Sequence, residues 1–174
     1  MRAYRAEHEA LNHMQIEMTI KGLMVDPVTN LPIVILKDKE GDRVLPIWVG
    51  IFEANAIALE MEKVATPRPM THDLLKNLLT ELETRVERVV INDLRENTFF
   101  ARIHLTRGDS SLSVDSRPSD AIALALRARA EIFVEEMVLE KSRNLRAEGS
   151  EQDPERLRKW LEEASSDELG KYRM

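Results

Sequence analysis

The 174-residue chain contains no cysteine, and this absence excludes several classes of site. Without thiols there is no disulfide, no thiolate zinc site and no cysteine nucleophile. Aromatic residues make up only 5% of the chain, so no platform for stacking single-stranded nucleic acid is evident. No stretch approaches the ~18 apolar residues of a membrane-spanning helix, and the N-terminus lacks the apolar core of a secretion signal. We therefore expect a cytoplasmic protein.

An excess of basic charge is also missing, because 31 acidic residues outnumber 25 basic ones, which gives a formal net charge of -6 and a pI of about 5.4. Such a chain repels polyanions, which argues against high-affinity, non-specific binding of nucleic acid. It does not exclude a carboxylate-rich site that holds a divalent metal. The motifs HExxH, GxSxG and GxxxxGK[ST] and a glycine-rich dinucleotide loop are all missing. Metalloproteases, α/β-hydrolases, P-loop enzymes and Rossmann enzymes are therefore unsupported.

The length favours one domain of ordinary size with a short segment at each end. Residues 1–13 are charged and read as an N-terminal extension, residues 14–143 form the domain, and residues 144–174 form a polar linker and a C-terminal helical tail. The tail helix is predicted to start at Asp153 and Pro154. We expect one of its faces to dock on the domain or a partner; that face carries Leu157, Trp160 and Leu161.

Hydrophobic patterning predicts alternating groups of strands and helices. The strands are predicted at 14–25, 31–36, 44–49, 86–91, 98–105, 111–114 and 132–134. The helices are predicted at 52–63, 72–83 (with Thr71 as cap), from Pro118 onward, and 135–143. The second helix carries one broad apolar stripe, which we expect to face a core; it consists of Leu74, Leu75, Leu78, Leu79 and Leu82.

The order of three strands and then a helix occurs twice. At an offset of 65 residues, Ala56-Ile57-Ala58-Leu59 falls on Ala121-Ile122-Ala123-Leu124. This similarity suggests two related halves packed about an approximate two-fold axis. We therefore expect an α+β fold, with mixed or antiparallel sheets built from two βββα-like halves with packed helices.

The most unusual chemistry lies at the start of the third helix, where Pro118 fits a first helical turn and Ser116 is the predicted cap. The run AIALAL that follows is apolar on every side, so this helix should be central. Its first turn still has to reach the surface, because it brings Asp115, Arg117 and Asp120 together with free backbone N–H groups. That combination can bind an anion or a metal.

Three separated segments carry a resemblance to a known family. They are DSRPSDAIALALR at 115–127, LPIWVGIFEANAIALEME at 45–62 and RPMTHDLLKNLL at 68–79. Together they resemble the bifunctional nuclease domain family, over about residues 14–143 and in the right order. The resemblance implies a phosphodiester hydrolase that cuts both RNA and DNA.

We predict that Arg117 and Ser119 bind the substrate phosphate, since an arginine fork beside a helix N-terminus suits a phosphate. Asp115 and Asp120 are candidate catalytic carboxylates that share a divalent metal, Mg or Mn, and activate water. The structural alternatives are simpler. Arg117 then forms an ion pair that only holds the turn, and Asp120 is an acid favoured by the helix dipole.

Two more candidates lie at the starts of the other helices. Glu53 is placed by the internal repeat and is a candidate catalytic carboxylate or general base, with first-turn capping as the alternative. His72 is the proton-transfer candidate, because its unperturbed pKa lies near neutrality. Asp73 is next to it, but adjacent helical side chains point about 100° apart, so the two need not act together.

The sequence therefore predicts a metal-assisted nuclease with RNA or DNA as a weakly bound substrate, which forms a homo-oligomer and has no membrane association. The alternative is a non-catalytic scaffold that binds anions or proteins and oligomerises through exposed sheet edges. Convergence of Asp115, Asp120 and Glu53 within metal-bridging distance would favour the nuclease. Carboxylates that face apart, or that pair with arginine, would favour the scaffold.

Overall fold

The structure, a computed structural model, describes the backbone of residues 14–147 and the side chains of residues 14–144. The predicted N-terminal extension lies outside this range. So does the predicted tail helix with Leu157, Trp160 and Leu161.

The described residues form one mixed sheet of seven strands, in the spatial order β3-β2-β1-β7-β4-β5-β6. Neighbouring strands are antiparallel except β4 and β7, which are parallel. The α+β class is therefore confirmed. The strands are β1 Gln15–Val25, β2 Pro32–Asp38, β3 Val44–Trp48, β4 Arg85–Arg95, β5 Thr98–Arg107, β6 Ser110–Ser116 and β7 Glu131–Glu135.

Four helices accompany the sheet in the described part of the chain, and none of them is long and apolar enough to cross a bilayer. Helix α3 contacts β4 and β5, while α1 and α2 both contact α3. Helix α4 packs on β4 and β7. The bounds are α1 Ile51–Met61, α2 Thr71–Glu81, α3 Pro118–Ala128 and α4 Glu136–Ala147.

The predicted repeat of three strands and a helix is present in both halves, and β7 lies between them. Strand β1 is antiparallel to β7, whereas β4 is parallel to it. The first strands of the two halves therefore run in opposite directions, as an approximate two-fold axis normal to the sheet requires. Each half sends its chain from its last strand directly into a helix, α1 or α3, and this brings the two helix starts together.

Helix α3 is the centre of the main core, as its apolar run predicts. The five residues from Ala121 to Ala125 are each at most 1% exposed. The alanines have small side chains, so the sheet and the flanking helices can approach the helix backbone closely. The main core joins α3 to both halves, to β7 and to Val138 and Leu139 of α4. A second, smaller cluster on β1 and β2 consists of Met24, Ile33 and Ile35.

The leucine stripe of α2 does not face the core, so that prediction is wrong. Four of its five members are exposed, at 53% for Leu74, 39% for Leu75, 51% for Leu78 and 56% for Leu82. Only Leu79 is partly buried against the core. The reason is electrostatic. The polar side of α2 faces α3, because Asp120 and Arg127 of α3 pair with His72 and Asp73 there.

Two predicted helix caps are also wrong. Helix α3 has Arg117 at its N-cap, and the Ser116 hydroxyl donates a hydrogen bond to the Arg117 carbonyl. Helix α2 has Met70 at its N-cap, and Thr71 is its first helical residue. The Met70 N–H donates to the Asp73 carboxylate over 2.8 Å, so an acid in the first turn satisfies this end of the helix.

A buried carboxylate attaches α4 to the sheet. Asp93 on β4 is 8% exposed, and it accepts hydrogen bonds from Lys141 of α4 at 2.8 Å and from Arg95 at 2.5 Å. The hydrogen bond from Lys141, assisted by Arg95 and opposed by desolvation, lowers the pKa of Asp93 to about 2. Because the folded-state pKa is depressed below 3.8, ionised Asp93 stabilises the fold at neutral pH.

We predict that Asp93→Asn lowers the free energy of unfolding by roughly 1–2 kcal/mol at pH 7, since it removes a partly buried ion pair. In the wild type this contribution is present above about pH 4 and is lost as the pH falls towards about 2. Urea denaturation of both proteins between pH 7 and pH 2.5 measures the difference. Asp109→Asn, in the exposed β5–β6 turn, is the control. A difference between Asp93→Asn and wild type that does not shrink in acid would contradict the assignment.

Candidate functional site

Three helix N-termini meet at one place on the surface. Helices α1, α2 and α3 each carry an acid in their first turn, namely Glu53, Asp73 and Asp120. Carboxylates are stabilised at such positions by the partial positive charge of the helix N-terminus. Four side chains from the three helix starts contact one another, and we call them the Arg117 cluster: Glu53, His72, Arg117 and Asp120.

Arg117 is the centre of this cluster. Its Nε atom lies 2.8 Å from Asp120 Oδ2, and its Nη2 atom lies 2.8 Å from Glu53 Oε1. Nη2 also donates to Asp120 Oδ1 at 3.2 Å. The guanidinium therefore bridges α1 and α3, yet its side chain stays 66% exposed. Its remaining nitrogen, Nη1, forms no hydrogen bond with the described residues, so it can bind a ligand.

His72 joins the cluster from α2. Its Nε2 atom lies 3.1 Å from Asp120 Oδ1, and its side chain is only 12% exposed. A carboxylate can only accept, so the imidazole donates this hydrogen bond. The other ring nitrogen, Nδ1, is then the acceptor in the neutral ring. Asp120 therefore fixes both the orientation and the tautomer of His72.

The charges of the cluster stabilise one another. Desolvation by itself would raise the pKa of Asp120, but hydrogen bonds from Arg117 and His72 outweigh it and lower that pKa below 3.8. The pKa of Arg117 is raised, first by its hydrogen bond to Asp120. Asp120 is therefore ionised and Arg117 charged throughout the physiological range.

A buried arginine supports the cluster from beneath. Arg127, near the end of α3, has a side chain only 5% exposed and forms an ion pair with Asp73 of α2. Its Nη2 atom donates to the Ala56 carbonyl of α1 at 3.0 Å, and its Nη1 atom donates to the Ala123 carbonyl of α3 at 2.9 Å. One guanidinium thus connects all three helices whose first turns form the cluster. His72 and Asp73 have different partners, as their angular separation on the helix suggested.

Two predicted site residues lie apart from these contacts. Asp115 is on β6, paired in register with Arg102, and its exposed side chain forms no hydrogen bond or ion pair with the described residues. Ser119 is buried, at 6% exposed, in the first turn of α3. Among residues 14–144, no three acidic or histidine side chains are arranged to hold a metal ion.

A model of one protein family matches residues 34–146, a range that contains every member of the Arg117 cluster. Its description is the bifunctional nuclease domain. The chain belongs to the bifunctional nuclease domain family. The predicted resemblance is thereby confirmed.

Curated relatives of this family member fall into two groups. An uncharacterized protein of Mycobacterium tuberculosis is 38% identical over 162 residues, which are 88% of this chain and 97% of that protein. Bifunctional nuclease 2 of Arabidopsis thaliana is 30% identical over 105 residues, which are 58% of this chain and 32% of the plant protein. Bifunctional nuclease 1 of Oryza sativa subsp. indica is 27% identical over a stretch of the same length. The match to each of these two plant proteins thus covers about a third of the plant chain.

Two residues of this bifunctional nuclease domain were missed by reasoning from the sequence. Arg127 could have been noticed, because it is the charged residue that ends the apolar run of α3. Gly50, the N-cap of α1, leaves the space that the Glu53 carboxylate fills, and a Cβ at this position would overlap that carboxylate. No local sequence pattern predicts this contact, because it depends on the Glu53 rotamer.

We predict that Arg127→Met destabilises the domain by roughly 2–4 kcal/mol, because it breaks a largely buried ion pair, leaves the Asp73 carboxylate without its cation and removes the side-chain donor to two helix carbonyls. Thermal and urea denaturation measure the loss. Arg107→Ala, at an exposed arginine of β5, should change the stability by less than about 0.5 kcal/mol. A loss below about 1 kcal/mol in Arg127→Met would show that the three helices are held together by other contacts.

Proposed function

We propose that this chain is a nuclease that hydrolyses phosphodiester bonds of RNA, DNA or both, and that the Arg117 cluster is its catalytic site. The observation that carries the proposal is the position of an exposed, partly unsatisfied arginine beside an oriented histidine, at meeting helix N-termini. Membership of the family and the printed names of the plant relatives support the same activity.

In this proposal Arg117 binds the scissile phosphate. Its Nη1 group forms no hydrogen bond with the described residues. It can therefore donate to a phosphate oxygen while Nε and Nη2 remain bonded to Asp120 and Glu53. The N-terminus of α3 adds its partial positive charge, and we propose that the Ser119 backbone or side chain contributes there. Charge that develops on the phosphoryl oxygens is then stabilised without rearrangement of the protein.

His72 transfers the proton in this proposal. Water attacks phosphorus, one ester P–O bond breaks, and Nδ1 of His72 accepts the proton that the water loses. The imidazolium then returns a proton to the leaving oxygen. Asp120 is held in its ionised form by Arg117, so it is suited to stabilise that imidazolium.

The metal remains a prediction from the sequence. Both oxygens of Asp120 are engaged by Arg117 and His72, while Asp115 on β6 takes no part in these contacts. The arrangement therefore does not fit a preformed ion site on Asp115 and Asp120, and no step of the proposed reaction passes through one. Asp115 keeps a proposed role as a carboxylate near the substrate, two residues before Arg117.

A second candidate function is a non-catalytic anion-binding scaffold. One observation favours it: Glu53 and Asp120 are both paired with Arg117, and such pairing is also what a purely structural cluster would show. In that case Arg117 would bind an anion without any proton transfer. The two functions differ in the role of His72, because only the nuclease requires it.

The decisive experiment is degradation of labelled single-stranded RNA and DNA by the purified chain, with magnesium, manganese or EDTA. We expect Arg117→Ala to lower kcat/KM about 100-fold, since it removes a donor to the developing charge. We expect His72→Gln to lower it roughly 100-fold or more. We expect Asp120→Asn to lower kcat/KM by a similar factor, because Asp120 orients the His72 imidazole through their hydrogen bond.

Arg107→Ala, an exposed arginine outside the cluster, is the matched control and should keep the wild-type rate. Circular dichroism and thermal melting confirm that each variant is folded. Activity that is equal in all these folded proteins belongs to a contaminant, and its appearance would end the nuclease proposal. Anion binding that requires Arg117 and tolerates His72→Gln, without cleavage, would establish the scaffold.

Gly50→Ala tests the role of Glu53 without changing its carboxylate. Gly50 has φ −69° and ψ 158°, which alanine adopts readily, but the added Cβ must displace the Glu53 carboxylate from its position beside Arg117. We expect the melting temperature to stay within a few degrees and kcat/KM to fall to the level of Glu53→Gln. A wild-type kcat/KM in both Gly50→Ala and Glu53→Gln would show that Glu53 only stabilises the N-terminus of α1.

A further inference from the structure

The exposed side of α2 carries an unusual concentration of apolar side chains. Leu74, Leu75, Leu78 and Leu82 follow one another at helical spacing on one stripe, and Met70 extends the stripe at the N-terminal end. Each is 39–56% exposed. We call these five residues the leucine face. The opposite side of α2 is already occupied, because His72, Asp73 and Leu79 pack towards α3 and the core.

Exposure of this apolar face to water is unfavourable, and no other described residue buries it. The five side chains expose on the order of 450 Å² of apolar surface, which is within the range of the largest patches on monomeric proteins. It is also close to the apolar share of the ~800 Å² that each partner buries in a standard interface. The patch is therefore large enough to form the centre of a stable contact.

We propose that the leucine face is the interface through which two copies of this chain form a symmetric dimer. A two-fold interface requires a patch that is complementary to itself, so that residue i meets residue j and residue j meets residue i. Leu74, Leu78 and Leu82 form a single i, i+4, i+8 ridge that is symmetric about its middle member. A two-fold axis at Leu78 places Leu74 against Leu82 of the other copy, and the two helices run antiparallel.

The dimer leaves the Arg117 cluster accessible. His72 lies on a different side of α2 from the leucine ridge, and Arg117 is on α3. The proposed interface is also distinct from the sheet edges, where β3 and β6 are the outer strands. It does not depend on the nuclease proposal, because a scaffold with the same fold would expose the same leucines.

The test is sedimentation velocity of the full chain between about 1 and 100 μM, supported by light scattering. We expect a species of twice the 20.0 kDa chain mass. Leu78→Glu places two carboxylates at the two-fold axis and should weaken association at least 100-fold. Leu112→Glu is a closely matched control, because Leu112 on edge strand β6 is 52% exposed and Leu78 is 51% exposed. The control should remain a dimer.

A pair of double variants tests the geometry directly. Leu74→Glu with Leu82→Glu opposes like charges across the two-fold axis and should give monomers. Leu74→Lys with Leu82→Glu opposes unlike charges and should restore the dimer at low salt. Both carry two charges on the same face, so a general loss of folding would affect them equally, and circular dichroism would detect it.

Other results overturn the proposal. A full chain that is monomeric at 100 μM would refute the dimer, and the face would then be exposed or covered by another occupant such as residues 157–161 of the same chain. A dimer that dissociates with Leu112→Glu and persists with Leu78→Glu would locate the interface at the edge of the sheet. Equal association of the two double variants would refute the two-fold arrangement.

Discussion

The geometry of the candidate site depends on one buried guanidinium. Arg127 holds the Asp73 carboxylate of α2, a carbonyl of α1 and a carbonyl of its own helix, and its side chain is almost fully buried. A lysine could not make these contacts together, because its single ammonium lacks the planar fork of donors. The desolvation of Asp73 would raise its pKa, but the Met70 N–H and Arg127 outweigh this effect and lower it. The carboxylate therefore stays ionised, and the N-termini of the three helices keep their positions relative to one another.

Much of the fold could be predicted because the local signals and the tertiary structure agree. The alternation of apolar residues identified the strands, and the run AIALAL identified α3 as a helix buried on every side, which it is. The two-half organisation was also visible, since both halves end in a strand followed directly by a helix. The position of β7 between the halves could not be predicted, because strand order depends on long-range pairing that leaves no local pattern.

The error on the leucine stripe has a physical cause, which is that polar contacts with α3 set the orientation of α2. Periodicity showed that its leucines lie on one stripe, but it could not show that His72 and Asp73 would find Asp120 and Arg127 on the neighbouring helix. Those two pairs orient α2 with its leucines outward. Arg117 and Asp120 were singled out at a helix start, Glu53 through the internal repeat and His72 for its chemistry. The structure brings all four together. Asp115 was singled out with Arg117 and Asp120, but its exposed side chain on β6 forms no hydrogen bond or ion pair with the cluster.

Helix α2 has an unusual balance of contacts, because only Leu79 of its apolar residues packs against the core. Its attachment to the domain rests largely on charged and hydrogen-bonded pairs near its first turn, and these are the pairs that set the position of His72. Such a helix has little apolar restraint of its own against the core. A contact on the leucine face would supply that restraint at low cost, since burial of apolar surface is not directional. The oligomeric state and the placement of His72 beside Asp120 would then be coupled through one short helix, without any residue of the cluster touching the second copy.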